Sequence, residues 1–165
     1  MTSRTSGEAG PARERRRVTN DIRESLRVLS IQLSLLNHQV GAHLGLKDVD
    51  LHCLDLINRS GPLSPTALSR QTGLHPATMT GVLDRLQRAG WIVRERDPDA
   101  ADRRAVTVRA LRDRNAELLR LYAGMNSSVE EICAEYTPAQ LEVLADFLRR
   151  STEAGRNATE ELTGR

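Results

Sequence analysis

Residues 64–91, SPTALSRQTGLHPATMTGVLDRLQRAGW, hold two helix starts so close together that the local fold is nearly decided. Ser64 can accept a hydrogen bond at the head of a helix, and Pro65 suits the first helical position, where its missing N–H would find no partner anyway. His75 and Pro76 repeat the arrangement. Leu63 can pack onto Leu68, and Leu74 onto Met79, fixing how the chain enters each helix. Between the two starts lies Thr72-Gly73-Leu74, where Gly73 can take the left-handed backbone that a tight turn requires. The pattern is a helix-turn-helix, with Leu68, Met79, Val82, Leu83 and Leu86 holding both helices against one core.

With those residues inward, helical spacing leaves Ala77, Gly81, Asp84 and Arg88 outward and Thr78, Thr80 and Arg85 at the margins. Small and polar groups at the head of such a helix suit close approach to base edges in a major groove. A Thr can hydrogen-bond there, and an Ala or Thr methyl can meet a thymine methyl. Pro76, Ala77, Thr78, Thr80 and Gly81 are therefore the candidate reading residues. Arg70, Arg85 and Arg88 fit phosphates, which fix position without reading sequence. The alternative for Arg88 is a solvent-exposed i,i+4 pair with Asp84.

Apolar residues at 22, 26, 29, 33, 36 and 40 step by fours and threes and mark one long helix. The stepping returns at Leu118, Tyr122, Met125, Val129, Ile132 and Tyr136, and again at Leu141, Leu144 and Leu148. Asp48 is placed to cap a helix carrying Leu51, Leu54 and Ile57. Thr137, Pro138 and Gln140 form a further helix start. Two short strands are read over Trp91–Arg96 and Ala105–Leu111, because Val106 and Val108 alternate with Thr107 and Arg109. Their connection, DPDAADRR, is a polar tip whose Arg103 and Arg104 could enter a narrow minor groove. Alternatively Asp99, Asp102, Arg103 and Arg104 only neutralise one another. Residues 1–17 lack large apolar side chains and read as a disordered tail.

The net charge of +2 conceals an uneven distribution. Residues 1–27 and 61–111 are each +3, whereas residues 112–165 are −3, which sets the basic parts toward phosphate. No apolar run is long enough for a membrane span and no signal-peptide core precedes the helices, so a cytoplasmic protein is expected. Cys53 and Cys133 form neither a disulfide framework nor a metal-type pair. His38 and His43 sit five apart, on different sides of a helix, so no metal or other cofactor is expected. An enzyme using His52, Cys53 or Asp55 would need converging partners, and no phosphate loop or nucleophile motif occurs. A winged helix serving as an architectural or protein-docking module is the remaining alternative.

The succession SPTALSRQTGLHPATMTGVLDRLQRAGWI with DPDAADRRAVTV, framed by long helices, resembles the multiple-antibiotic-resistance regulator (MarR) family over nearly all of the chain beyond the tail. The resemblance implies a mainly α fold: a winged helix-turn-helix core with a small β-hairpin wing over 46–111, framed by dimerisation helices over 18–45 and 112–165. It implies a homodimer on double-stranded DNA with a pseudo-palindromic operator. Repression, relieved by a small-molecule effector, is the role it suggests. His38, Gln39, His43 and His52 are the polar residues offered for such an effector. Some relatives sense oxidants through a cysteine, which raises that alternative for Cys53, although its apolar surroundings favour a packing role. The chain departs from the family at Gly81, where Arg or another large polar residue is common. Its wing is slightly long, and Ala110–Arg114 replace the usual Thr and Gly after the second strand.

Overall fold

The computed structural model describes residues 9–96 and 106–164. Among them the elements run α1 (Ala9–Leu44), α2 (Asp48–Ser60), α3 (Pro65–Thr72), α4 (Pro76–Arg88), β1 (Ile92–Arg96), β2 (Val106–Ala110), α5 (Arg112–Ala134) and α6 (Pro138–Thr163). The chain divides into two compact units, Met1–Leu51 and His52–Arg165.

In the first unit, α1 begins at Ala9, so residues 9–17 of the segment expected as a disordered tail are helical, while residues 1–8 lie outside the described residues. A shortage of large apolar residues argues against burial, not against helix. Ala, Arg and Glu are strong helix formers, and Arg17 reaches Glu14 at 2.7 Å and Asp21 at 3.3 Å along the helix surface. Such pairs add a few tenths of a kcal/mol each. At the other end of α1 the chain turns sharply, with Leu46 N–H donating to Gly41 O at 2.8 Å. α2 starts at Asp48 itself rather than just after it, with Asp48 and Asp50 in the first turn, where negative charge suits the helix dipole. Much of the apolar stripe on α1 is exposed, including Ile22, Leu29 and Leu33.

The second unit holds the helix-turn-helix. Ser64 accepts from Ala67 N–H at 3.1 Å, His75 Nδ1 accepts from Ala77 N–H at 3.3 Å, and Gly73 closes α3 with φ of 71°. Leu54, Ile57, Leu68, Met79, Val82, Leu83, Leu86, Trp91, Ile92 and Val108 form its core, each nearly or wholly sealed from solvent. Burial of each large side chain contributes about 1.5–3 kcal/mol. β1 and β2 pair antiparallel from Ile92↔Ala110 to Arg96↔Val106. Leu63 extends this sheet through two backbone hydrogen bonds with Val108, at 3.1 and 2.8 Å, and so ties the head of α3 to the hairpin.

α5 leaves the hairpin with Arg114 stacked 4.2 Å from the centre of the Trp91 ring. Asn115 Nδ2 donates to Asn58 Oδ1 on α2 at 2.8 Å. Tyr136 falls just past α5, and α6 opens with the expected reciprocal cap between Thr137 and Gln140. α6 runs to Thr163, well beyond the apolar spacing that ends at Leu148. Leu119, Val129, Ile132, Val143, Leu144, Phe147 and Leu148 remain exposed on α5 and α6. Among the described residues no helix is long and apolar enough to cross a membrane.

Candidate nucleic-acid interface

α4 has two chemically different sides. Met79, Val82, Leu83 and Leu86 are at most 1% exposed and anchor the helix to the core. Opposite them Pro76, Ala77, Thr78, Thr80 and Arg88 are exposed, with Gly81, Asp84 and Arg85 half-buried. The inward and outward assignments made from spacing are therefore what the packing produces. Arg70 is exposed in the last turn of α3.

The two threonines differ in chemistry. Thr80 Oγ1 donates to Pro76 O at 3.0 Å, so its proton is committed and the oxygen is left as an acceptor. Thr78 makes no side-chain hydrogen bond among the described residues, so its hydroxyl can donate or accept. At Gly81, an added Cβ would stand 3.5 Å from Arg85 Nη1, an ordinary contact, and meet nothing else within 4 Å. The missing side chain lowers the profile of the outer surface one turn above Ala77.

Arg88 does not pair with Asp84. The Asp84 carboxylate instead accepts from Arg94 Nη2 on β1 at 2.7 Å, and Arg94 Nη1 donates to Gln87 Oε1 at 2.9 Å. Arg88 makes no ion pair among the described residues. Arg94 is the residue that sequence spacing missed, since Asp84 and Arg94 are ten positions apart. The available signal was the Gly90 turn, which brings β1 back beside the end of α4.

On the hairpin, Arg109 Nε reaches Glu95 Oε2 at 3.3 Å, and the guanidinium beside it holds the Glu95 carboxyl below the usual carboxylate range. Arg103 and Arg104 lie outside the described residues, within the 97–105 segment that joins the paired ends Arg96 and Val106.

The residues offered for an effector fall on two helices. His38, Gln39 and His43 lie on α1 in the first unit and His52 lies on α2 in the second, all exposed. His38 Nδ1 is 3.1 Å from Asp48 Oδ1 and so is already engaged. Among the described residues no group of three or more His, Cys, Asp or Glu is placed to hold a metal. Cys53 is completely buried in the core, the environment of a packing thiol rather than an accessible thiolate.

Comparison with known proteins follows the same outline. The MarR family profile matches residues 46–106. The chain is 32% identical over 152 residues to the "Uncharacterized HTH-type transcriptional regulator YcgE" of Bacillus subtilis (strain 168), spanning 87% of this chain and 97% of that protein. Among solved structures it is similar to a MarR family protein from Bacillus stearothermophilus, with a TM-score of 0.63 at 18% identity over 84% of this chain and 96% of that one. A MarR protein from Peptoclostridium difficile DA00132 matches with a TM-score of 0.60 at 17% identity, over 98% and 97% of the two chains. At such identities the two structures support the fold alone.

Proposed function

The chain belongs to the MarR family of DNA-binding transcriptional regulators, and on that premise we propose that it is a sequence-specific homodimeric repressor released from its operator by a small molecule. The observation that carries the DNA reading is the division of α4 into a sealed apolar side and an outer side of small, hydroxyl and cationic groups.

In this reading the head of α4 enters the major groove. Thr78 pairs with a base edge as donor or acceptor. Thr80, whose proton is held by Pro76 O, accepts from an exocyclic amino group of adenine or cytosine. Ala77 and the low surface at Gly81 permit close approach. Arg70, Arg85 and Arg88 bind phosphates, and Arg103 and Arg104 enter the adjacent minor groove.

The dimer reading is supported by the apolar residues left exposed along α1 in the first unit and, separately, along α5 and α6 in the second, since an exposed run of large apolar side chains on a helix marks a surface for a partner. Two copies related by a two-fold axis would present two reading helices to half-sites about one helical turn apart. The effector would draw on His38, Gln39, His43 and His52.

A gel-shift with DNA from upstream of the protein's own gene tests this, repeated with Arg103→Ala and with small aromatic acids as effector probes. The expected result is a discrete complex that survives excess random DNA, weakens with Arg103→Ala and dissociates with an effector. Equal binding to random DNA would instead indicate an architectural role, and no binding a docking role.

A further inference from the structure

Asp84 is the one acid on α4, PATMTGVLDRLQR, and it stands one turn before Arg88 on the side away from the core. Spacing alone offers that carboxylate to Arg88. Arg94 takes it from across the hairpin, engaging Asp84 and Gln87 with one guanidinium fork at 2.7 and 2.9 Å. The outcome has a physical reason. Arg94 is held by a paired strand, opposite Val108, and its side chain is only 29% exposed, so its bond to Asp84 forms in a part-buried place, and the planar fork that also reaches the exposed Gln87 loses little entropy in making both bonds. Arg88 is a long exposed side chain whose pairing would be worth only a few tenths of a kcal/mol in water.

We infer that Arg94 is a positioning residue for DNA binding: it occupies Asp84, which removes a bare carboxylate from the phosphate-facing helix and keeps that carboxylate from capturing Arg88. The inference rests on the DNA-binding reading above. Loss of Arg94 uncovers Asp84, which then repels phosphate and captures Arg88 at i,i+4 spacing. The damage resides in Asp84, so removing the Asp84 charge repairs it. Neither a direct DNA contact by Arg94 nor a simple structural strut predicts a repair larger than the gain that Asp84→Asn gives beside an intact Arg94.

The test uses the full chain and the upstream DNA fragment, with affinity followed by fluorescence anisotropy across a salt series. Arg94→Met should weaken binding roughly tenfold and reduce the slope of log affinity against log salt by about 0.9, the amount for one lost phosphate contact. Adding Asp84→Asn to Arg94→Met should bring affinity back to within about threefold of wild type and restore the slope. Arg94→Lys, which keeps the charge but not the fork, should fall between. Thermal melts establish that each variant is folded, and if Arg94→Met is not, Arg94→Lys with and without Asp84→Asn gives the same comparison. Wild-type affinity in the Arg94 variants, or weak binding that Asp84→Asn does not repair, overturns the inference. Failure of the wild-type protein to bind overturns the DNA-binding reading as well.

Discussion

α4 and α6 are both amphipathic helices of the second unit, yet they use their apolar residues in opposite ways. α4 has 13 residues, and its Met79, Val82, Leu83 and Leu86 are sealed inside its own chain. α6 has 26 residues, and its Val143, Leu144, Phe147 and Leu148 stay between 38% and 70% exposed, with Leu141 at its head half-buried. A helix whose apolar side is already satisfied presents what remains, and on α4 that is hydroxyl, small and cationic. A helix whose apolar side is unsatisfied presents that side. The first suits a polar, charged partner and the second an apolar one, and the proposed function assigns DNA to the first and a second copy of the chain to the second.

Truncation separates the two helices most strongly. Leu86→Ala should cost about 2–5 kcal/mol of folding stability, because a core side chain is lost and its space cannot refill, as read from urea unfolding at fixed protein concentration. Phe147→Ala should leave the helix content of the chain intact and instead weaken self-association by about 1.5–3 kcal/mol per protomer, read by sedimentation equilibrium. If Phe147→Ala unfolds the chain without shifting assembly, the contrast between the helices fails.

The same comparison shows what sequence could disclose. Ser64, His75 and Thr137 announce their helices because a cap and a following proline act within three residues, and all three starts form as read. The apolar side of α4 was equally legible, being a matter of angle along one helix. Arg94 was not, because its bond to Asp84 depends on how β1 folds back, and a nearer cation at Arg88 satisfied the spacing rule. The first turns of α1 were missed for a related reason: helix there depends on residue propensity and on charge pairs such as Arg17 with Glu14, which a search for apolar spacing does not register. The roles of the four effector candidates are not legible in spacing, which places His38, Gln39, His43 and His52 along their helices but does not disclose a contact such as that of His38 with Asp48, ten positions on.

Two smaller effects sharpen the account of α4 and its neighbouring hairpin. Gly81→Ala should stabilise the fold by about 1 kcal/mol, since the site is helical and has room for a methyl group. It should at the same time weaken operator binding, and unchanged or tighter binding would count against close approach at this position. Glu95→Gln should have the least effect. Arg109 holds the Glu95 carboxyl below its ordinary range, so the stabilisation is full above the unfolded carboxylate value of about 4.3 and is lost as pH falls through the lowered one. Wild type and Glu95→Gln should therefore differ in melting temperature near neutral pH and converge in strong acid; a difference that grows in acid would reverse the assignment.

The most direct test of the central claim is the ratio of dissociation constants for the protein on its own upstream DNA fragment and on a shuffled fragment of equal length and composition, measured at one near-physiological salt concentration. A regulator that reads bases through α4 should prefer its own site by at least about a thousandfold, with two protomers bound per site. A ratio close to one, at any affinity, would contradict it.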